Sequence, residues 1–300
     1  MICVQRVQNL LLGLIGCAAA LATAAAADAA PLTLWGAGSL RSALGTAAQD
    51  FTTATGTPVS TNFGPSGTLR QEIEAGARPD VFASADFNNP LTLEQEGIAR
   101  PVLSFATNPV VAVAAPGIAV NSSNLLATLL NSSITVGTST PVADPLGDYT
   151  EQLFAKADAL NPGAKATLDA KAERLVASPT SPPVPTGDNN LVYFLDTTHQ
   201  ADIFLAYASD IPAALAINSN LQVVTLPSEL AVAGNYGITV LNGAAPGAQA
   251  LEDYILSPAG QAVLAQYGFG PPAAAVPEPA SAAVLGLALA AAVAVRRRRA

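Results

Sequence analysis

Two places in the chain set a serine where an apolar run gives way to helical spacing. Gly38-Ser39 follows Leu32 to Trp35, and Ser66-Gly67-Thr68 follows Val59 to Phe63. A helix start presents unpaired N–H groups and the positive end of the helix dipole, so such a junction can hold an anion without lysine or arginine. The serine hydroxyl adds a donor, and glycine lets the backbone come close. Ser39 and Ser66 can equally be plain N-caps, and the local sequence leaves both readings open.

Other chemistry is scarce. His199 is the one histidine, and beside Gln200 it reads as a surface-loop residue. Cys3 and Cys17 both fall in the first 29 residues, so a chain cleaved near Ala29 has no thiol. A zinc site of nitrogen and sulfur ligands is thereby excluded. A Ser-His-Asp triad would need His199, and no Gly-x-Ser-x-Gly elbow accompanies it. Gly36-Ala37-Gly38 lacks the third glycine of a dinucleotide loop. The pairs Glu72/Glu74 and Glu94/Glu96 are two apart and point to different helix faces. The expectation is a protein that is not an enzyme and carries no cofactor.

The elements that must position the serines alternate. Leu40, Ala43, Leu44, Ala47 and Phe51 recur at helical spacing after Ser39, which is placed as an N-cap. Leu69 and Ile73 mark a second helix. Strands are expected at Leu32–Trp35, Val59–Phe63, Val81–Ala85, Val110–Ala114, Thr135–Gly137, Ile203–Tyr207, Leu221–Val224 and Ile238–Leu241. Further helices are expected over Gly147–Ala159, Ala164–Val176, Leu191–Thr197 and Ala248–Leu256. This rhythm argues an α/β architecture with parallel-rich sheets. Pro179, Pro182, Pro183 and Pro185 mark an exposed loop.

Composition bounds the partners. Half the residues are apolar and 12% are charged, the reverse of a disordered chain. Between Pro31 and Ala275 stand 20 acidic and 8 basic residues, −12 net. A body that acidic is a poor partner for nucleic acid or an anionic membrane, whereas a small anion answers to local dipoles.

The ends read as addresses. Residues 1–29 form an expected signal peptide, with Arg6, an apolar run Leu10–Ile15 and an alanine-rich tail cut after Ala27 or Ala29. Leu14-Ile15-Gly16-Cys17 offers the alternative of a lipidated Cys17. At the far end, residues 276–300 hold Val276-Pro277-Glu278-Pro279, sixteen uncharged residues from Ala280 to Val295, and Arg296 to Arg299. This tripartite tail resembles the PEP-CTERM sorting signal of Gram-negative bacteria, removed by an exosortase; a simple tail anchor is the alternative. Signal peptidase and an exosortase are the implied processing partners, and the periplasm or cell surface the implied location.

Leu34-Trp35-Gly36-Ala37-Gly38-Ser39-Leu40 resembles the first ligand loop of molybdate-binding proteins from ABC importers. Gly64-Pro65-Ser66-Gly67-Thr68-Leu69-Arg70 through Gly76 resembles the second. Pro79 to Asp86 is similar to the following family strand, Asn108 to Val113 to the crossover, Ala201 to Tyr207 to the strand carrying the ligand tyrosine, and Ser257 to Phe269 to the closing helix. The resemblance implies a two-lobed periplasmic-binding-protein fold of type II, with 31–112 plus 237–272 in one lobe and 113–236 in the other. It implies an oxyanion held by Ser39, Ser66, Leu146, Asn189 and Tyr207, any metal arriving as molybdate or tungstate and never as a bare cation. It also implies a monomer serving the membrane subunits of an ABC importer. A site made only of donors favours molybdate, tungstate or sulfate over phosphate, which still carries a proton. Asn189-Asn190, Asp144 and Asp148 depart from the family pattern, and a carboxylate turned into the cleft would repel a dianion. The rival reading is a surface-sorted protein that keeps the fold with a vestigial or sulfate-type site.

Overall fold

A computed structural model describes residues 30–273. The expected signal peptide and sorting tail, with Cys3 and Cys17, lie outside the described residues.

Strands β1 (Leu32–Ala37), β2 (Val59–Gly64) and β3 (Val81–Ser84) run parallel, with Leu32 opposite Val59 and Leu34 opposite Val81. Their crossovers are the helices Arg41–Thr55 and Ser66–Glu74. The first buries Ala43, Leu44, Ala47, Ala48 and Phe51, the stripe that the helical spacing predicts. It stops at Gly56, whose φ of 73° suits the left-handed cap.

Strand β4 (Leu103–Ala114) is twelve residues long and changes partners along its length. Leu103 to Pro109 pairs antiparallel with β9 (Ala233–Val240), which also pairs with β3. Val110 to Ala114 pairs antiparallel with β7 (Ile203–Tyr207) and, over Val111 to Ala114, with β8 (Gln222–Thr225). Proline has no N–H to give a ladder, and Pro109 stands where the partners change. Beyond β7, strands β5 (Val136–Ser139) and β6 (Ala172–Val176) continue in parallel, giving the order β2-β1-β3-β9-β4-β7-β5-β6. The sheet is therefore mixed, because the two strands that link the halves run against their neighbours. Helix Pro145–Leu160 follows β5 and buries Leu153, Phe154 and Ala157.

Three local expectations need correction. The helix expected over Ala164–Val176 ends at Lys171, whose ammonium donates to the Leu129 and Asn131 carbonyls, and Ala172–Val176 becomes the edge strand β6. The expected helix at Leu191–Thr197 opens as one α-turn, Asn190–Val192, and passes into a π-turn, Tyr193–Thr197. Ser39 is no N-cap: it lies within a 3-10 turn, Gly38–Leu40, that has no side-chain cap. Among the described residues, no helix is long and apolar enough to cross a membrane.

Phe154 is fully buried, and Leu160 on the same helix is 51% exposed. Phe154→Ala is expected to cost about 3–5 kcal/mol and lower the melting temperature by roughly 10 °C. Leu160→Ala should leave it nearly unchanged, as followed by circular dichroism.

Candidate functional site

Ser39 turns away from its own helix. Its hydroxyl lies 2.9 Å from that of Tyr236 on β9, which also accepts from Asn108 Nδ2 at 3.1 Å. Asn108 in turn donates to the Ser209 hydroxyl at 2.7 Å. Tyr236 packs edge-on against Tyr207, with ring centres 5.7 Å apart, and Tyr207 against Tyr149 at 6.3 Å. Tyr236 on the linking strand β9 and Tyr149 on helix Pro145–Leu160 thus converge on Tyr207. That side chain is 3% exposed, and among the described residues its hydroxyl has no hydrogen-bond partner. Burial, reinforced by Tyr236 and the Asp144 carboxyl, holds its pKa well above the ordinary 10.0. It remains a neutral phenol with a proton to donate.

Ser66 is the first residue of its helix, and the preceding Pro65 provides no side-chain cap. The Ser66 side chain is fully buried and its oxygen accepts from Ala85 N at 3.1 Å, leaving its own proton free. The next two N–H groups are already engaged across the cleft. Gly67 N and Thr68 N donate to the Ala143 carbonyl at 3.0 and 3.3 Å. A Cβ on Gly67 would stand 1.9 Å from the Val142 carbonyl oxygen, so only glycine lets the two halves meet there. Val142 pays for this geometry with a φ of 70°, a strained value for a β-branched residue. Its N–H is held by Asp148 Oδ1 at 3.0 Å.

Asp144 caps helix Pro145–Leu160, its Oδ1 accepting from Leu146 N at 3.0 Å. The Leu146 donor implied for the anion is thus already bonded to a carboxylate. Burial raises the Asp144 pKa to about 6, against the opposing pull of the Leu146 N–H and the Ser139 hydroxyl. Burial and then the Asp144 charge raise Asp210 to about 7. Both carboxyls are enclosed, although each residue keeps some contact with solvent. The surroundings of Tyr207 are therefore not made of donors alone. Asn189 caps its own turn, accepting from Leu191 N and Val192 N at 3.0 and 3.3 Å. Among the described residues, no hydrogen bond joins it to Ser39, Ser66, Leu146 or Tyr207.

A cavity of about 350 Å³ opens beside this cluster, lined from both halves by Arg70, Asp86, Asn89, Val142, Asp148 and Tyr149 among others. Arg70 donates to Asn89 Oδ1 at 2.8 Å and pairs with Glu74. Asp86 is tied to Asn89 and Ser84. Sequence reasoning missed Tyr236, Asn108, Tyr149 and Asp210. His199 is exposed, in a turn with φ 50°. Among the described residues, no group of three or more His, Cys, Asp or Glu could hold a metal ion.

Residues 32–270 match the family of bacterial extracellular solute-binding proteins, and residues 275–299 the PEP-CTERM protein-sorting motif. The uncharacterized protein PM1146 of Pasteurella multocida is 32% identical over 71% of this chain and 87% of its own. The molybdate-binding protein ModA of Escherichia coli is 27% identical, covering 83% of this chain and 93% of its own. The sulfate-binding protein SubI of Mycobacterium tuberculosis superposes with a TM-score of 0.64 at 18% identity, over 85% of this chain and 90% of its own. The fold is that of the two-lobed periplasmic binding proteins, type II.

Two outcomes follow from this geometry. Gly67→Ala is expected to prevent the seating of Val142 and Ala143, leaving each half folded and the halves apart. Small-angle scattering should then give a larger radius of gyration than the parent's. Asp144 and Asp210 have folded-state pKa values above the ordinary 3.8, so the stability they confer is complete below about pH 4 and is lost as pH rises through 6 to 7. The melting temperature should fall by roughly 5 °C between pH 5 and pH 8, and Asp144→Asn should flatten that slope.

Proposed function

Because this chain belongs to the bacterial extracellular solute-binding protein family, we propose that it captures a small tetrahedral oxyanion outside the cytoplasm and hands it to the membrane subunits of an ABC importer. The observation that carries this reading is the Tyr207 hydroxyl: buried, neutral, without a partner among the described residues, on a ring set between Tyr236 of β9 and Tyr149 of helix Pro145–Leu160. A buried donor left unpaired costs free energy that a ligand oxygen would restore. The hydroxyls of Ser39 and Ser66 are the companion donors.

Molybdate, with tungstate as its near equivalent, is the cargo that the likeness to ModA supports, and the fold shared with a sulfate binder keeps sulfate beside it. Binding without turnover is the role that the likeness to solute-binding proteins supports. Export fits the family and the sorting motif, with the body held at or released from the outer face of a membrane.

The same motif favours a second reading, a surface-sorted protein whose site has lapsed. A melting experiment separates them. Ligand at 100 times its Kd adds about 2.7 kcal/mol to the folded state. One of molybdate, tungstate, sulfate or phosphate should therefore raise the melting temperature by roughly 5–10 °C. Ser39→Ala with Ser66→Ala, or Tyr207→Phe, should remove that rise. Indifference of the parent protein to all four would leave the lapsed-site reading.

A further inference from the structure

The direction of the Ser39 hydroxyl is set by a chain of hydrogen bonds that begins on β4. Asn108 is fully buried there, and the Ser209 backbone N–H donates to its Oδ1 at 3.3 Å. A backbone N–H can only donate, so this bond fixes which end of the amide is oxygen. Nδ2 then directs its two protons to the Ser209 hydroxyl at 2.7 Å and the Tyr236 hydroxyl at 3.1 Å. Tyr236, also fully buried, receives one of them and must place its own. Among the described residues, the other atom bonded to its hydroxyl is Ser39 Oγ at 2.9 Å. The Tyr236 proton therefore goes to Ser39, because a buried donor without an acceptor is costly. Burial holds the Tyr236 pKa well above its usual value, so that proton stays in place at neutral pH.

Ser39 Oγ thus receives a proton, and its own O–H is released. Among the described residues that O–H has no acceptor, and Ser39 keeps part of its surface open. Ser66 shows the same arrangement, its oxygen receiving the Ala85 N–H at 3.1 Å. We propose that Tyr236 is a positioning and specificity-determining residue: with Asn108 behind it, it turns the Ser39 proton toward the captured anion. A hydroxyl that receives a bond becomes a better donor and a poorer acceptor, since each bond in a chain polarises the next. The class this favours is the fully deprotonated oxyanion, such as molybdate or sulfate, which offers acceptors alone. A monohydrogen anion such as phosphate brings a proton that finds no ready acceptor at Ser39. The inference rests on the capture reading above and deepens it.

The neighbouring hydroxyls do not serve in its place. Tyr149 receives Asn235 N at 3.1 Å, and Tyr207 has no partner among the described residues, so neither is bonded to Ser39. Tyr207 instead lies edge-on to the Tyr236 ring, 5.7 Å between centres, so the ring that carries the relay also packs against the tyrosine of the proposed site. Phe105 and Phe269 pack edge-on against the same ring, with centres 6.2 and 5.4 Å away. Packing holds the Tyr236 hydroxyl in place, and bonding holds its proton.

Calorimetric titration of the full chain with molybdate, sulfate and phosphate tests this. Tyr236→Phe keeps the ring and removes the proton. It should weaken molybdate or sulfate, whichever binds the parent more tightly, by about fivefold, and phosphate by about twofold or less. In a Ser39→Ala background the same change should weaken binding by less than about twofold, because there is no hydroxyl left to orient. Equal weakening of every anion that binds, a loss that persists in the Ser39→Ala background, or no loss at all overturns the proposal. Neutron diffraction from deuterium-exchanged crystals of the parent reads the Tyr236 deuteron directly, whatever the variants do to folding. It should lie on the line to Ser39 Oγ. A Ser39 deuteron pointing at Tyr236 overturns the relay and leaves oxyanion capture standing. Failure of all three anions to bind the parent would remove the capture reading and this inference with it.

Discussion

The Ala143 carbonyl, bonded to Gly67 N and Thr68 N, sets the state of the whole molecule. It joins the end of a helix in one half to a loop in the other, and it does so through backbone groups that no side-chain change can supply. With that contact made the two halves meet, and Asp144 and Asp210 are largely enclosed, each residue keeping some contact with solvent. Their raised pKa values follow from that enclosure. The same carbonyl occupies two of the donors that a helix start would otherwise offer to an anion. The proposed oxyanion site would draw on the hydroxyls of Ser39, Ser66 and Tyr207 in place of a bare helix terminus.

That replacement changes what kind of recognition is possible. Backbone N–H groups can only donate, and a ring of them accepts any anion of the right size. Hydroxyls and carboxyls can donate or accept, and their roles depend on where protons sit. Tyr236 illustrates the point: it joins Ser39 to Asn108 and so couples a loop of one half to the strand that crosses between them. In a network of this kind the donor and acceptor roles shift together when one proton moves.

Much of the frame was legible in the sequence because it depends on local rules. The stripe Leu40 to Phe51 spaced a helix, and the small-residue junctions after β1 and β2 marked where strands stop. Tyr207 lay at the end of an apolar run that could only be a buried strand. The missed parts depend on neighbours remote in sequence. Ser39 looked like a cap, and only the approach of Tyr236, 197 residues away, turns its hydroxyl elsewhere. Ala172 to Val176 became a strand because β5 offered an open edge, which helical propensity in the preceding residues concealed. Asp144 was visible as a departure from the family pattern, but its capping of Leu146 needed coordinates. Asn189 was placed by the family resemblance, and its side chain serves its own turn.

Val142 carries a cost of its own. A valine held at φ 70° sits roughly 1–3 kcal/mol above its relaxed backbone, and 64% of it faces solvent, so little packing offsets the strain. The strained residue is the same one whose carbonyl oxygen lies against Gly67, so the seam between the halves carries a conformational cost that its two backbone hydrogen bonds offset only in part.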